Sequence, residues 1–324
     1  MAIVEERIFE TSKALLDEYL DPWYSDTFHD PYNLLFRGES SDLFQLIPSA
    51  LREHKQKELY ELSGSSYTEN AIHFFGNELG HAHLEYKLMH RFYRIANEQG
   101  LYIPPLDSKW IGRFQLSSAM GYLLSVDDCF WIPHELTELM ALLQHYGMPT
   151  RMLDWSTSLL VALYFAAEGA AKNAVEKKES NAQYMVIWAM RSHATSDELK
   201  TEPFMPLRIV TPPYRYNPNL RAQKGVLSYI PLDLRDKAAA TTPACGKPLD
   251  QYMREFYGDS ETFPPLLTRI KIPIDQCHTT LRMLDLLGIN AASIYPDYRN
   301  VIHSMKEVEY RCYDWRNPKE NGDS

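Results

Sequence analysis

Apolar residues recur at helical spacing over several long stretches of the chain. One stretch covers residues 9–20 and ends just before Pro22, which disfavours continuation of a helix. A longer stretch covers residues 68–97, where we expect a break or bend near Gly76 or Gly80. Both segments are predicted helices.

Proline and glycine mark the ends of another helix in the middle of the chain. Residues 134–146 follow Pro133 and precede Gly147, which are common start and stop residues. Residues 159–168 are rich in alanine, leucine and aromatic residues, and residues 275–287 carry a further helical pattern. These three segments are also predicted helices.

Short apolar runs bounded by turn residues predict β-strands. The runs are residues 32–38, 184–190, 225–230 and 267–272. The first ends in an arginine and a glycine, so we expect a buried strand that carries Arg37 to its rim. Strands mixed with long helices predict an α+β fold, with small mixed or antiparallel sheets and a large helical insertion.

These patterns divide the chain into three regions. We expect an N-terminal helical segment at residues 1–29, one large domain at residues 30–300, and a C-terminal strand and tail at residues 301–324. The helical insertion covers about residues 68–146. Segments rich in charged, small and proline residues predict surface loops at residues 173–181, 193–206 and 234–248, and a frayed tail at residues 317–324.

With 324 residues, 45% of them hydrophobic and 23% charged, the chain is long enough to bury a large core. Its apolar stretches are shorter than the roughly 20 residues of a membrane span. Its N-terminus lacks a basic region followed by an apolar one. We therefore expect a cytoplasmic protein with no membrane partner; the pattern does not indicate an oligomeric state.

Charge and cysteine spacing narrow the chemistry. The formal net charge of −10 argues against a general nucleic-acid coat, which needs an excess of Lys and Arg, but leaves room for a local basic pocket. The four cysteines lie far apart and favour neither a zinc ribbon nor a disulfide framework. No metal site is predicted: His81 and His83 are two apart on a predicted helix and point to different faces.

Three motifs stand out from this background. The first is Phe-Arg-Gly at residues 36–38. The second is Gln-His-Tyr-Gly-Met-Pro-Thr-Arg-Met-Leu-Asp-Trp at residues 144–155, which continues into Ala-Leu-Tyr-Phe-Ala at residues 162–166. The third lies at residues 287–297 and contains Leu-Gly-Ile-Asn and Tyr-Pro-Asp.

Together these motifs resemble the FRG-domain family, named for its Phe-Arg-Gly motif, over residues 30–297. The resemblance implies a bacterial or phage-linked protein with a role in antiviral defence. Family membership alone does not define a reaction, so function must be argued from the site.

A second resemblance is to the arginine-serine-glutamate class of ADP-ribosyltransferases. Arg37 on a strand corresponds to the first element, and Ser-Thr-Ser at residues 156–158, before an aromatic-rich helix, to the second. The third element, Glu-x-Glu entering a strand, is replaced by Gln223 followed by lysine and glycine. A literal Glu-x-Glu occurs at residues 307–309, beyond the closing motif. The resemblance implies an ADP-ribosyltransferase-like core and NAD as substrate, with no covalently bound cofactor.

Cleavage of the nicotinamide–ribose bond develops positive charge on the ribose, so such a pocket needs phosphate ligands, ribose ligands and a carboxylate. The resemblance assigns catalytic roles to Arg37, Ser156 and Gln223, and we add His145 as a candidate. Glutamine can bond to a ribose but supplies no negative charge. The expected nucleotide-binding residues are Arg37, Gly38, Arg151, Ser156, Thr157, Ser158 and Tyr164.

The principal candidates also have structural explanations. Arg37 could pair with Asp154 as a buried bridge, since buried charges need partners. The hydroxyls of residues 156–158 could simply cap the following helix. His145 in the last turn of a helix suits the helix dipole or a core position.

The same applies to the remaining candidates. Arg151 could brace its own loop together with Asp154. Tyr164 and Phe165 could be core residues, although a ring could also stack on a base. Glu85 on the long helix reads as a solvated or helix-pair charge.

Three functions therefore stay open. The chain could be an enzyme that cleaves NAD or transfers ADP-ribose to a protein or nucleic-acid acceptor. It could be a non-catalytic module that senses a nucleotide or a phage product. A nuclease using His145, Arg151 and Asp154 is disfavoured by the acidic charge and the lack of clustered metal-binding carboxylates.

Overall fold

The computed structural model describes residues 3–21, 28, 31–116, 130–176, 181–192, 207–244, 246–258 and 265–312. Strands and helices are numbered separately along the chain. The strands are β1 (Val4–Ile8), β2 (Leu34–Glu39), β3 (Phe130–Trp131), β4 (Leu153–Ser156), β5 (Tyr184–Arg191), β6 (Arg208–Val210), β7 (Gly225–Tyr229), β8 (Leu232–Asp233) and β9 (Leu267–Pro273).

The α-helices lie between these strands and after the last of them. They are α1 (Ser12–Leu20), α2 (Gln56–Leu62), α3 (Glu69–Phe75), α4 (Glu78–Glu98), α5 (Ser108–Leu116), α6 (Thr137–His145), α7 (Leu159–Val175), α8 (Pro218–Ala222), α9 (Leu249–Tyr257), α10 (Cys277–Leu286), α11 (Ala291–Ile294) and α12 (Tyr298–Cys312). None of the described helices combines the length and apolar character needed to cross a membrane.

Seven strands form one mixed sheet, in the order β1-β9-β5-β2-β4-β7-β6. β1 runs parallel to β9, and the other neighbours are antiparallel. β3 and β8 form a separate pair. The α+β prediction is confirmed, but the main sheet is larger than the small sheets expected. Strands from both ends of the chain join it, as the pairing of Val4 with Leu267 shows.

β2 lies inside the sheet, between β5 and β4. Its first three residues are buried, and it pairs with β5 along its whole length. With β4 it shares the pair Phe36 and Ser156. Arg37 therefore lies within the strand, not at its rim as the sequence predicts.

Gly38 allows α7 to pack directly on β2. A Cβ at this position would lie 1.9 Å from the carbonyl oxygen of Ala162 and 2.9 Å from the backbone nitrogen of Ala166. Both alanines are buried, and their small side chains let the helix backbone approach the strand. The Phe-Arg-Gly motif thus combines a core residue, a polar residue and a glycine, whose lack of a Cβ permits this contact.

Three hydrophobic clusters hold these layers together. One lies between the sheet and α1, α7, α10 and α11. A second lies on other parts of the sheet with α9. The third fills the predicted helical insertion, where α2, α4, α5 and α6 pack together and against β7. Burial of these apolar side chains is the main stabilising term and fixes the helices around the sheet.

The predicted helices are confirmed in position, with changes at their ends. Residues 68–97 form α3 and α4, which separate at Gly76 as expected. Asn77 caps α4, because its side-chain oxygen accepts from the backbone N–H of Gly80 at 2.7 Å. α7 extends past the predicted end at residue 168 to Val175.

Two predictions for the chain termini are wrong. The N-terminal segment expected to be helical also contains β1, because its short alternating run finds a partner in β9. The expected C-terminal strand is the helix α12, whose residue Glu307 is buried. The predicted tail at residues 317–324 lies outside the described residues.

Two predictions for the middle of the chain also need correction. No strand is predicted between residues 146 and 159, yet this segment contains β4, whose four residues are too few to give a clear strand pattern. The surface loop expected at residues 234–248 buries Leu234 and Ala239. The loop expected at residues 193–206 falls outside the described residues.

Candidate functional site

One cavity of about 410 Å³ opens beside the centre of the sheet. Its walls come from β2, β4, β7, α6, α7 and α8, together with the residue after α11. Arg37, His145, Ser156 and Gln223 all line it. The four residues proposed as catalytic from the sequence thus meet at one place, although they are far apart in the chain.

Arg37 is held between two carboxylates. Its Nε donates to Glu39 at 2.7 Å, and its Nη1 donates to the backbone oxygen of Asp154 at 2.9 Å. The Asp154 carboxylate lies 3.8 Å from the same Nη1. Burial disfavours the charged guanidinium, but Glu39 and Asp154 outweigh this effect and raise the pKa of Arg37.

Arg37 makes more contacts than the bridge to Asp154 that would explain it as a purely structural residue. The expected bridge to Asp154 exists, but Glu39 is the closer partner. Nη2 makes no hydrogen bond with the described residues. The Arg37 side chain is 15% exposed, so Nη2 can donate to a ligand oxygen in the cavity.

Asp154 offers its carboxylate to the cavity. Its side chain is 65% accessible, yet the surrounding walls displace much of the bulk water. This partial dehydration raises the pKa of Asp154, against the opposing effects of Arg37 and of a hydrogen bond from Gln144. The Gln144 Nε2 donates to the Asp154 carboxylate at 2.5 Å.

The hydroxyl of Ser156 makes two hydrogen bonds within the protein. It donates to the backbone oxygen of Gln223 at 2.7 Å and accepts from the backbone N–H of Ser158 at 3.0 Å. Its proton is therefore committed to Gln223 and is not available to a ribose. Ser156 instead ties the end of β4 to the loop before β7, and Ser158, at the N-cap of α7, makes no side-chain cap bond.

Gln223 also lines the cavity. It ends α8, and its side-chain amide makes no hydrogen bond with the described residues. Lys224 follows in the left-handed region with φ of 48°. Both Lys224 and Arg221 are exposed, so two cations flank Gln223 in the chain.

His145 ends α6 at the cavity wall. Burial lowers the pKa of His145, and the nearby Asp154 only partly offsets this effect. The imidazole is therefore mainly neutral at pH 7 and able to accept a proton. Its ring contacts Tyr146 edge to face, with centroids 5.0 Å apart.

Four residues expected to bind the nucleotide do not line the cavity. Thr157 is exposed, and its backbone N–H donates to the oxygen of Lys224 at 3.1 Å. Ser158 begins α7 beyond the cavity wall. The other two, Arg151 and Tyr164, are buried elsewhere.

Arg151 belongs to a buried ion pair outside the cavity lining. Its Nε donates to Glu85 at 2.6 Å, and the indole N–H of Trp131 donates to the same carboxylate oxygen. The other oxygen of Glu85 lies 3.4 Å from His81. Burial opposes ionisation of Glu85, but Arg151 and His81 outweigh it and lower its pKa to about 2. Of the two readings of Glu85, the solvated charge is therefore wrong, while its contact with His81 one turn earlier on α4 agrees with the helix pair.

Tyr164 is a core residue, as its structural explanation states. Its hydroxyl donates to Glu307, and the other oxygen of Glu307 accepts from the backbone N–H of Ala291 at 3.2 Å. Glu307 is 1% exposed and lies outside the cavity lining. Glu307, the first acid of the literal Glu-x-Glu, therefore does not supply a carboxylate to this cavity.

Sequence reasoning missed two residues of the cavity, Glu39 and Tyr295. Glu39 follows Arg37 by two residues on a strand, so both side chains point to the same face. That period-two spacing could have identified the acid. Phe165 and Tyr295, whose ring centroids lie 6.2 Å apart, form an aromatic wall. Burial raises the pKa of Tyr295 to about 12, so its hydroxyl stays protonated.

The described residues contain no group of three or more His, Cys, Asp or Glu side chains placed to hold a metal ion. The cavity lining offers one guanidinium, two carboxylates, one imidazole and the aromatic side chains of Phe36, Trp155, Phe165 and Tyr295. This set can bind a polar ligand with a flat ring, hold a developing positive charge and accept a proton.

Residues 32–175 match the model of the FRG domain. No curated protein and no solved structure matches the chain. The matched segment contains β2, α6, β4 and all of α7, and hence Arg37, His145 and Ser156.

Proposed function

The chain is a member of the FRG-domain family through residues 32–175, and we propose that its cavity binds the ribosyl group of NAD and cleaves the ribose–nicotinamide bond. One observation carries this proposal: Arg37 is braced between Glu39 and Asp154 in a single cavity that also holds His145.

The carboxylates suit the charge that develops in this reaction. When the bond from the ribose C1′ to the nicotinamide nitrogen breaks, its electron pair leaves with nicotinamide and positive charge remains on the ribosyl group. Asp154, 65% accessible in the cavity, can face that charge. Glu39 and Asp154 together thus provide the negative charge that Gln223 cannot supply.

Charge also suggests the orientation of the nucleotide. One guanidinium faces two carboxylates, so the cavity favours a ribosyl group over a diphosphate. The exposed Arg221 and Lys224 lie next to Gln223 in the chain, and Arg and Lys are suited to phosphate. The nicotinamide ring would stack against Phe165 and Tyr295.

His145 completes the reaction in this proposal. The ribosyl group is captured by water or by a hydroxyl of a protein or nucleic-acid acceptor, which must lose its proton. The neutral imidazole can take this proton. With water as acceptor the products are ADP-ribose and nicotinamide; with another acceptor, ADP-ribose is transferred.

Nicotinamide release from NAD by the full chain tests the proposal. Asp154→Asn keeps the shape of the side chain but removes its charge, and we expect a loss of release of about 100-fold or more. Asp17→Asn is the matched control, because Asp17 is exposed on α1 and pairs with Lys13. Equal rates for wild type and Asp154→Asn would contradict the role of Asp154.

A second function, a nucleotide sensor without turnover, is favoured by the hydrogen bonds of Ser156. Because the one proton of its hydroxyl is donated to the Gln223 backbone oxygen, Ser156 has none to donate to a substrate. Saturable NAD binding by calorimetry, with no nicotinamide released over hours, would support the sensor and contradict the enzyme.

A further inference from the structure

Behind Asp154 lies a chain of side-chain hydrogen bonds that the proposed reaction does not yet use. Gln144 donates from Nε2 to Asp154 at 2.5 Å, and Thr150 donates from its hydroxyl to the Oε1 of Gln144 at 2.5 Å. All three residues belong to the motif at residues 144–155. We propose that Thr150 and Gln144 are positioning residues that hold the Asp154 carboxylate ionised and aimed into the cavity.

The donor and acceptor roles along this chain are fixed by what each group can do. An ionised carboxylate only accepts, so Gln144 must turn its NH₂ group toward Asp154. The Oε1 of Gln144 then points to Thr150 and needs a donor. The wrong amide orientation would put two oxygens together and repel the carboxylate.

Thr150 has one proton to give, and its surroundings direct that proton to Gln144. The backbone N–H of Met152 donates to the Thr150 hydroxyl at 3.3 Å and occupies an oxygen lone pair. Thr150 is fully buried, so water does not compete for the hydroxyl. The hydroxyl can therefore accept from Met152 and donate to Gln144 at the same time.

The backbone of Thr150 is itself clamped. Its N–H donates to the hydroxyl of Ser49 at 3.0 Å, and that hydroxyl donates to the Thr150 carbonyl at 3.2 Å. The backbone N–H of Ala50 donates to the same carbonyl at 2.9 Å. The chain from Thr150 to Asp154 thus starts from a fixed point in the fold.

The consequence for the site concerns the second oxygen of Asp154. Gln144 occupies Oδ1, while Oδ2 lies 3.8 Å from Nη1 of Arg37. Oδ2 is therefore the oxygen left to face a ligand. The role of Oδ2 toward a ribosyl group rests on the proposed function, whereas the ionisation of the Asp154 carboxyl group does not.

The test replaces two members of this hydrogen-bond chain, Thr150 and Gln144, one at a time in the full-length protein. Thr150→Val keeps the shape of the side chain and removes the donor, Thr150→Ser restores it, and Gln144→Leu removes the middle member. The first readout is the Asp154 carboxyl pKa, measured by carbon-13 NMR titration. It needs neither NAD nor turnover.

We expect Thr150→Val and Gln144→Leu each to shift the Asp154 titration to higher pH, and Thr150→Ser to titrate like wild type. The double variant with both Thr150→Val and Gln144→Leu should shift the Asp154 titration no further than Gln144→Leu alone, because Thr150 acts through Gln144. Nicotinamide release should fall about tenfold in Thr150→Val at neutral pH, with its pH profile moved in the same direction as the titration.

The two proposals fail in different ways. A wild-type protein without nicotinamide release would contradict the enzyme, while the titrations would still test the positioning chain. An unchanged Asp154 titration in folded Thr150→Val and Gln144→Leu would overturn the positioning role whatever the activity. Additive shifts in the double variant would show that Thr150 does not act through Gln144 and would also overturn it.

Discussion

At the scale of residues, the site depends on the Arg37 guanidinium and the two acids that brace it. The planar fork reaches Glu39 through Nε and the Asp154 backbone through Nη1. The same two acids that fix the guanidinium are the ones we propose for charge stabilisation. The three side chains therefore act as a unit, and a change in one should affect the others.

Arg37→Lys tests this unit with the charge retained. A lysine ammonium is a point charge and cannot span both partners with the geometry of the fork. We expect kcat/KM for nicotinamide release to fall by about tenfold or more. Arg235→Lys, at an exposed pair with Asp233, is the control and should keep wild-type activity, whereas equal activity of both variants would contradict the role of the fork.

Gly38→Ala tests the close contact of β2 and α7. The added Cβ would lie 1.9 Å from the Ala162 oxygen, so the helix or the strand must move. We expect the free energy of unfolding in urea to fall by about 3 kcal/mol or more. Gly112→Ala in α5 meets no atom within 4 Å and should instead add up to about 1 kcal/mol; similar values for both variants would contradict this account of the motif.

Residue patterns predicted the members of the site better than their roles. Arg37, His145, Ser156 and Gln223 share one cavity, as the order of motifs suggested. The role of Ser156 was not predictable, because a sequence does not show which acceptor a hydroxyl finds across 67 positions.

At the scale of elements, α4 and α12 lie outside the cavity but hold its walls. α4 reaches the segment before β4 through the ion pair of Glu85 and Arg151. α12 reaches α7 and the start of α11 through Glu307. Each helix thus places a buried carboxylate against donors from a wall of the site.

The Glu85 pair predicts a specific dependence of stability on pH. Its pKa of about 2 lies below the ordinary value of 4.5. The stabilisation is therefore complete above about pH 4.5 and is lost as the pH falls toward 2, with a total of about 3 kcal/mol. The difference in unfolding free energy between wild type and Glu85→Gln should shrink from pH 5 to pH 3. A constant difference, or the same trend for the exposed Glu98→Gln control, would contradict the coupling.

Glu307→Ala tests the contact made by α12. It leaves the buried hydroxyl of Tyr164 and the backbone N–H of Ala291 without their acceptor. We expect the free energy of unfolding to fall by about 3 kcal/mol, compared with less than about 0.5 kcal/mol for Glu98→Ala on the exposed face of α4. Chemical denaturation measures both, and a small effect of Glu307→Ala would show that α12 does not support this wall.

Elements differ in how well their sequence predicts them. α4, α6 and α7 have long periodic patterns and clear end signals, and they were predicted. β4 has four residues, one of them the accessible Asp154, so its strand character comes from pairing with β7 and β2. α12 was missed because its buried Glu307 interrupts the apolar face that a helix prediction relies on.

At the scale of the whole molecule, the cavity needs more of the chain than the family match. Residues 32–175 provide Arg37, Glu39 and Asp154, but Gln223 and Tyr295 come from later segments. Tertiary packing of α8 and α11 brings Gln223 and Tyr295 to the sheet. No local sequence pattern encodes this approach of segments that are far apart in the chain. The family motif therefore supplies the polar centre, and the remainder of this chain shapes the space around it.

The central claim is that Asp154 and Arg37 bind the nicotinamide ribose of NAD in this cavity. A crystal structure of the full chain with a non-cleavable NAD analogue tests it most directly. The account predicts a ribose hydroxyl or ring carbon within about 3.5 Å of the Asp154 carboxylate and the nicotinamide ring against Phe165 and Tyr295. An analogue bound elsewhere, or bound here with its ribose pointing away from Asp154, would contradict it.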